Sequence, residues 1–83
     1  MNDVEVRKVS ARRLKAMLKE KGMSQRDLAA MLGVSDASVS RWAAGKRAPM
    51  FRHAVQCAGI LDVSIVWLWY GAGDELKHLG LEG

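Results

Sequence analysis

Between residues 10 and 71 the apolar positions recur at helical spacing, in short blocks punctuated by glycine. Leu14, Met17 and Leu18 make the stripe of a first helix expected over residues 11–21. Ser10 is its expected N-cap and Gly22 its left-handed stop. Leu28, Met31 and Leu32 make the inward face of a second helix that ends at Gly33. Ser24 caps it, and Asp27, at the third helical position, completes a variant of the capping box. Ser35 caps a third helix over residues 36–44, stopped by Gly45, with Val39 and Trp42 inward. Pro49 suits the first turn of a fourth helix over residues 50–59, with Phe51, Ala54, Val55 and Ala58 inward. Ser64 caps a short fifth helix, I-V-W-L-W-Y, closed by Gly71. That run is β-branched and aromatic enough for a strand. Nothing else reads as a strand partner, so helix is the expectation. Residues 1–9 carry no cap signal and are expected to be frayed or extended. Residues 74–83 read as a weakly patterned tail, which leaves one domain over residues 10–73.

Eighty-three residues allow one small core. The single Cys57 forbids an intramolecular disulfide and a cysteine-rich zinc site, and reads as a buried small hydrophobe. Stability is therefore expected from packing and from dimerisation. No apolar run approaches the roughly 20 residues of a membrane span. The opening MNDVEVRK lacks the apolar core of a secretory signal, so a cytoplasmic location is expected. Residues 7–52 hold twelve of the thirteen Lys and Arg against Glu20, Asp27 and Asp36, a local charge of +9 in a chain of +4. Such a basic half is where a phosphate-binding footprint belongs.

The outward face of the third helix is Asp36, Ala37, Ser40, Arg41 and Ala44, small and polar side chains that suit a helix fitted into a groove. Residues 25–44, QRDLAAMLGVSDASVSRWAA, form two short helices joined by a glycine turn, with Ala29 where the helices approach. The stretch resembles the helix-turn-helix of the Cro/CI-type phage repressors, the XRE family. W-A-A-G-K-R-A-P resembles that family's recognition-helix end and following loop. L-D-V-S-I-V-W-L-W-Y-G resembles its usual close. The resemblance covers about residues 10–73. It implies an all-α, five-helix, lambda-repressor-like fold whose third helix lies in the major groove of double-stranded DNA.

The same resemblance implies roles for individual residues. Asp36, Ala37, Ser40 and Arg41 take the base-contacting positions. Arg41 is the strongest reader, because a guanidinium binds O6 and N7 of guanine together. Asp36 departs from the family, which often has an uncharged polar residue there. It accepts from N4 of cytosine or simply favours the helix dipole, the latter being the preferred reading. Gln25, Arg26, Ser35, Lys46, Arg47 and Arg52 are the expected phosphate contacts, Arg26 being a weaker candidate along with Arg12 and Arg13. Trp42 and Trp67 read as core. Trp69 and Tyr70 exceed what so short a helix buries, and the family's fifth helix commonly joins the dimer. Ile65, Val66, Trp69 and Tyr70 are therefore the expected dimer contact.

His53 and His78 lack companion ligands, and no catalytic constellation or glycine-rich phosphate loop appears. No metal, cofactor or enzyme activity is expected. The expected function is a sequence-specific transcriptional regulator, a repressor that binds a pseudo-palindromic operator as a homodimer. Two rivals remain open at this point. One is an antitoxin-type module with a toxin partner and secondary DNA binding. The other is the N-terminal DNA-binding part of a longer, self-cleaving repressor.

Overall fold

The computed structural model describes residues 2–78, so residues 79–83 of the expected tail lie outside the described residues. Among the described residues five α-helices run in order: α1 (Asp3–Glu20), α2 (Gln25–Leu32), α3 (Asp36–Ala43), α4 (Phe51–Leu61) and α5 (Ile65–Trp69). A single 3-10 turn, Asp74–Leu76, follows. No strand occurs among the described residues. The aromatic run is helical, and the Ser64 hydroxyl accepts from the Trp67 N–H at its start, 3.4 Å. No helix among the described residues is long and apolar enough to cross a membrane.

The first helix begins well before the position that the apolar stripe predicts. Asn2 is its cap, with Oδ1 accepting from the Glu5 N–H at 2.9 Å, and Asp3 and Glu5 favour the helix dipole in the first turn. Residues 3–9 are thus helical rather than frayed. Long-range packing helps to hold them. Gly45, at φ +73°, lies so close to α1 that an added Cβ would stand 3.4 Å from the Arg7 carbonyl oxygen and 3.6 Å from the Lys8 Cα. The Arg7 Nε donates back to the Gly45 carbonyl at 3.3 Å. Ser10, the expected cap, is instead buried inside the helix, and its hydroxyl has no hydrogen-bond partner among the described residues.

Leu14, Met17 and Leu18 of α1 meet Leu28 and Ala29 of α2, Val39 and Trp42 of α3, and Leu61 and Leu68 further on in one core. The buried face of α2 is built on the small Ala29, which leaves Met31 exposed rather than inward. Helix α4 starts after Pro49, not at it, and runs through Gly59 to Leu61. Its stop is Asp62, in the left-handed region at φ 60°. Burial of Leu61 and Val63 carries the helix past the glycine. The core face of α4 is Ala54, Cys57, Ala58 and Leu61; Phe51 and Val55 flank it and are exposed.

Trp69 corrects the expected dimer contact. It is 4% exposed, packs edge-on to Trp42 with ring centroids 6.0 Å apart, and donates from Nε1 to the Ala54 carbonyl at 3.2 Å. A short helix buries both indoles here because α1 and α4 close on it from different sides. Ile65 is half-buried against the core, and only Val66 and Tyr70 of the expected four stand out to solvent. Arg13 corrects another expectation. Its Nη1 donates to the Trp67 and Ala72 carbonyls at 2.6 Å each, and its guanidinium lies 4.7 Å from the Trp67 ring centre. Asp74 accepts from the Trp67 indole at 2.9 Å, and the Lys77 carbonyl accepts from the Ser64 N–H. The start of the tail is therefore strapped to α1 and α5.

Two stability measurements follow. Removal of the Ser10 hydroxyl leaves no buried donor unsatisfied there and gives a better helix former, so Ser10→Ala is expected to raise the thermal midpoint. A drop in the midpoint would instead mean that the buried hydroxyl stabilises the fold. Burial pushes the Cys57 thiol up from 9.0 to about 12. The folded state therefore holds its proton where the unfolded chain loses it. That contribution is complete below pH 9 and is lost as pH rises toward 12. Denaturant titrations of wild type and Cys57→Ala are expected to converge as pH rises through this window.

Candidate nucleic-acid interface

The platform is α2, the Gly33 turn and α3, and each of its joints is local. Ser24 and Asp27 exchange two 2.9 Å hydrogen bonds: Ser24 Oγ accepts from the Asp27 N–H, and Asp27 Oδ2 accepts from the Ser24 N–H. The Ser24 backbone N–H, with the Ser24 hydroxyl second, holds the Asp27 carboxyl below its ordinary value of 3.8. Gly33 takes the left-handed conformation at φ 69°, and the Val34 N–H donates back to the Ala29 carbonyl at 3.0 Å. Ser35 then caps α3, its Oγ accepting from the Ser38 N–H at 3.1 Å. Gln25 is half-buried at the start of α2.

Val39, Trp42 and Ala43 hold α3 against the core. This leaves Ser35, Asp36, Ala37, Ser40 and Arg41 exposed together around the start and outer face of the helix. Ala37 and Ser40 are small enough to let the helix backbone approach a groove floor, and Arg41 is the long donor among them. Its guanidinium has no hydrogen bond or ion pair among the described residues. Arg26 and Asp36, expected to touch phosphate and base respectively, meet each other across the turn: Nε lies 3.5 Å from Oδ2, both side chains well exposed. A pair so open to water adds little stability. It does place a cation beside the one carboxylate on this face, which lessens that carboxylate's repulsion from phosphates.

After α3 the chain turns at Gly45 and presents Lys46, Arg47 and Ala48 to solvent. Arg52 follows in the first turn of α4, also exposed. An open groove between this loop and α3 is lined by Ser38, Trp42, Arg47, Pro49, Met50 and His53. Of the weaker candidates, Arg12 is exposed on α1, whereas Arg13 is committed to the strap. Sequence reasoning missed Lys8, which stands against the Gly45 turn. The signal for it was Asn2 followed by Asp3 and Glu5, a helix start that would have put Lys8 on α1. Among the described residues no three His, Cys, Asp or Glu side chains gather where they could hold a metal ion.

A lambda-repressor-like arrangement of five helices, with a free-faced α3 behind a capped α2, defines a helix-turn-helix DNA-binding domain. A helix-turn-helix family model matches residues 14–68, from the middle of α1 into α5. The chain belongs to that family in its XRE, Cro/CI-type branch, and it is a DNA-binding transcriptional regulator. No curated protein and no solved structure gave a match.

The capping box carries a measurable prediction. Ser24→Ala is expected to lower stability by about 1 kcal/mol in a denaturant titration. Asp27 has a lowered folded pKa, so its contribution is present above pH 3.8 and is lost as pH falls through the folded value. Wild type and Asp27→Asn are expected to differ at neutral pH and to converge in acid below 3.8.

Proposed function

We propose that this regulator is a repressor that binds a pseudo-palindromic operator as a homodimer. The observation that carries the reading is the free outer face of α3, small-sided and with Arg41 unengaged, on a helix locked from behind by Val39 and Trp42. Arg41 reads guanine through O6 and N7, Ala37 meets a thymine methyl, and Ser40 bonds a base edge or a phosphate. Asp36, with Arg26 beside it, favours the dipole of α3, its alternative role being to accept from N4 of cytosine. Gln25, Arg26, Ser35, Lys46, Arg47 and Arg52 bind the backbone and set register rather than sequence.

The dimer contact rests on Ile65, Val66 and Tyr70, with Trp69 now inside the core. Val66 and Tyr70, four residues apart, leave apolar surface open, Tyr70 being 50% exposed. The domain measures 30 × 28 × 22 Å. Two copies side by side match recognition helices about 34 Å apart, in successive major grooves on one side of the duplex. A dimer seated so covers the DNA it binds, and repression by occupancy of a promoter needs nothing more from the protein.

Selection of bound sites from random duplex DNA, with molar mass measured in solution, tests the reading. A two-fold symmetric site and a dimer are expected. Absence of any enriched sequence at moderate salt would refute it, and co-purification of a small basic protein would favour the antitoxin alternative. Arg41→Ala is expected to lose about 1–3 kcal/mol of discrimination at one position in each half-site. Unchanged preference and affinity would remove Arg41 from the reading role.

A further inference from the structure

The cations of α1 divide into two sets. Arg7 and Arg13 serve the fold, one on the Gly45 carbonyl and the other on the Trp67 and Ala72 carbonyls. Lys8, Arg12, Lys15 and Lys19 are all exposed, and none forms an ion pair among the described residues. Their spacings of four, three and four residues align them along one side of the helix. From Lys8 to Lys19 the line is about 16 Å long at the helical rise. Like charges at these spacings weaken a helix in isolation. Here three successive pairs are kept on one face.

The position of the line is set by its two flanks. On one side the Gly45 turn packs on Arg7, Lys8 and Ala11. On the other, Arg13 holds α5 and the strap. The line therefore adjoins the loop after the recognition helix at Lys8, next in space to the turn that delivers Lys46 and Arg47. The Lys8 backbone thus lies beside Gly45, the residue immediately before Lys46 and Arg47.

We propose that Lys8, Arg12, Lys15 and Lys19 form a second phosphate-binding surface, which grips the backbone of the same duplex that α3 reads. The inference rests on the DNA-binding reading and extends it beyond the recognition helix and its loop. Phosphates of one strand recur about every 3.4 Å along the duplex axis, so a line about 16 Å long has the reach to meet several of them. Its contribution is to affinity on every sequence and to none in particular.

The test is the salt dependence of binding to a short mixed-sequence duplex, followed by anisotropy across a potassium chloride series. Replacement of all four by Gln (Lys8→Gln, Arg12→Gln, Lys15→Gln, Lys19→Gln) is expected to lower the salt slope by about 2–4, since each phosphate contact contributes about 0.9. The site enriched from random DNA is expected to stay the same, and the thermal midpoint is expected not to fall. If the quadruple variant fails to fold, the pairs Lys8→Gln/Arg12→Gln and Lys15→Gln/Lys19→Gln are each expected to lower the slope by about half as much. Lys21→Gln/Lys77→Gln, off the line, is expected to leave the slope nearly unchanged. An unchanged slope in the quadruple variant, or an equal loss per charge in the off-line control, overturns the proposal. So does a complex that holds two duplexes per dimer, which would assign the line to a second duplex. Wild-type protein that binds no duplex at all would refute the DNA-binding reading together with it.

Discussion

Trp42 stands in the last turn of α3 and meets Trp69 edge-on, with 6.0 Å between ring centres and 80° between planes. Helix α3 is eight residues long, too short to persist alone in water. Its helicity depends on the face it buries, Val39, Trp42 and Ala43, and Trp42 is the largest side chain of that face. An edge-to-face aromatic pair is worth about 0.5–1.5 kcal/mol beyond its buried area. The Trp69 N–H reaches the Ala54 carbonyl, so the contact also ties α5 to α4. The pair and this hydrogen bond thereby help to fix how α3 sits on the core. The bidentate base contact proposed for Arg41 depends on that placement.

The charges of the chain follow the same division between scaffold and surface. Arg13 is spent inside, where two carbonyls, Asp74 and the face of Trp67 surround its guanidinium. Arg7 seats the turn that follows α3. Arg41, Lys46, Arg47 and Arg52 point outward from α3, its loop and the start of α4. The basic excess of residues 7–52 is thus not one patch with one purpose. Part of it fixes where the rest is displayed.

The core of the candidate interface was legible because its signals are local. Ser24 with Asp27, the left-handed Gly33 and the Ser35 cap each act within three or four residues, and each stands where the spacing placed it. The helical reading of the aromatic run held for the same reason, through the Ser64 cap. Met31, Phe51 and Val55 were assigned inward on periodicity and are exposed. A period says that a helix has an apolar face. It does not say how wide a face the neighbours will cover, and small residues such as Ala29 and Ala54 let those neighbours come close.

The sequence by itself determined the helices of the DNA-binding motif, their caps and stops, the burial of Trp42, and the small-sided outer face with Arg41. These depend on bonds between near neighbours and on a strict repeat. Only the tertiary structure decided that Trp69 belongs to the core and not to a dimer face, and that Arg13 serves carbonyls rather than phosphates. It likewise decided that Lys8 lies beside the Gly45 turn, although the start of α1 itself carries a local signal in Asn2, Asp3 and Glu5. The partners in those cases lie far off in the chain: Trp69 bonds Ala54, Arg7 bonds Gly45, and Arg13 bonds Trp67 and Ala72. No local pattern encodes which distant carbonyl a buried indole or guanidinium will find, because that is set by how the helices pack.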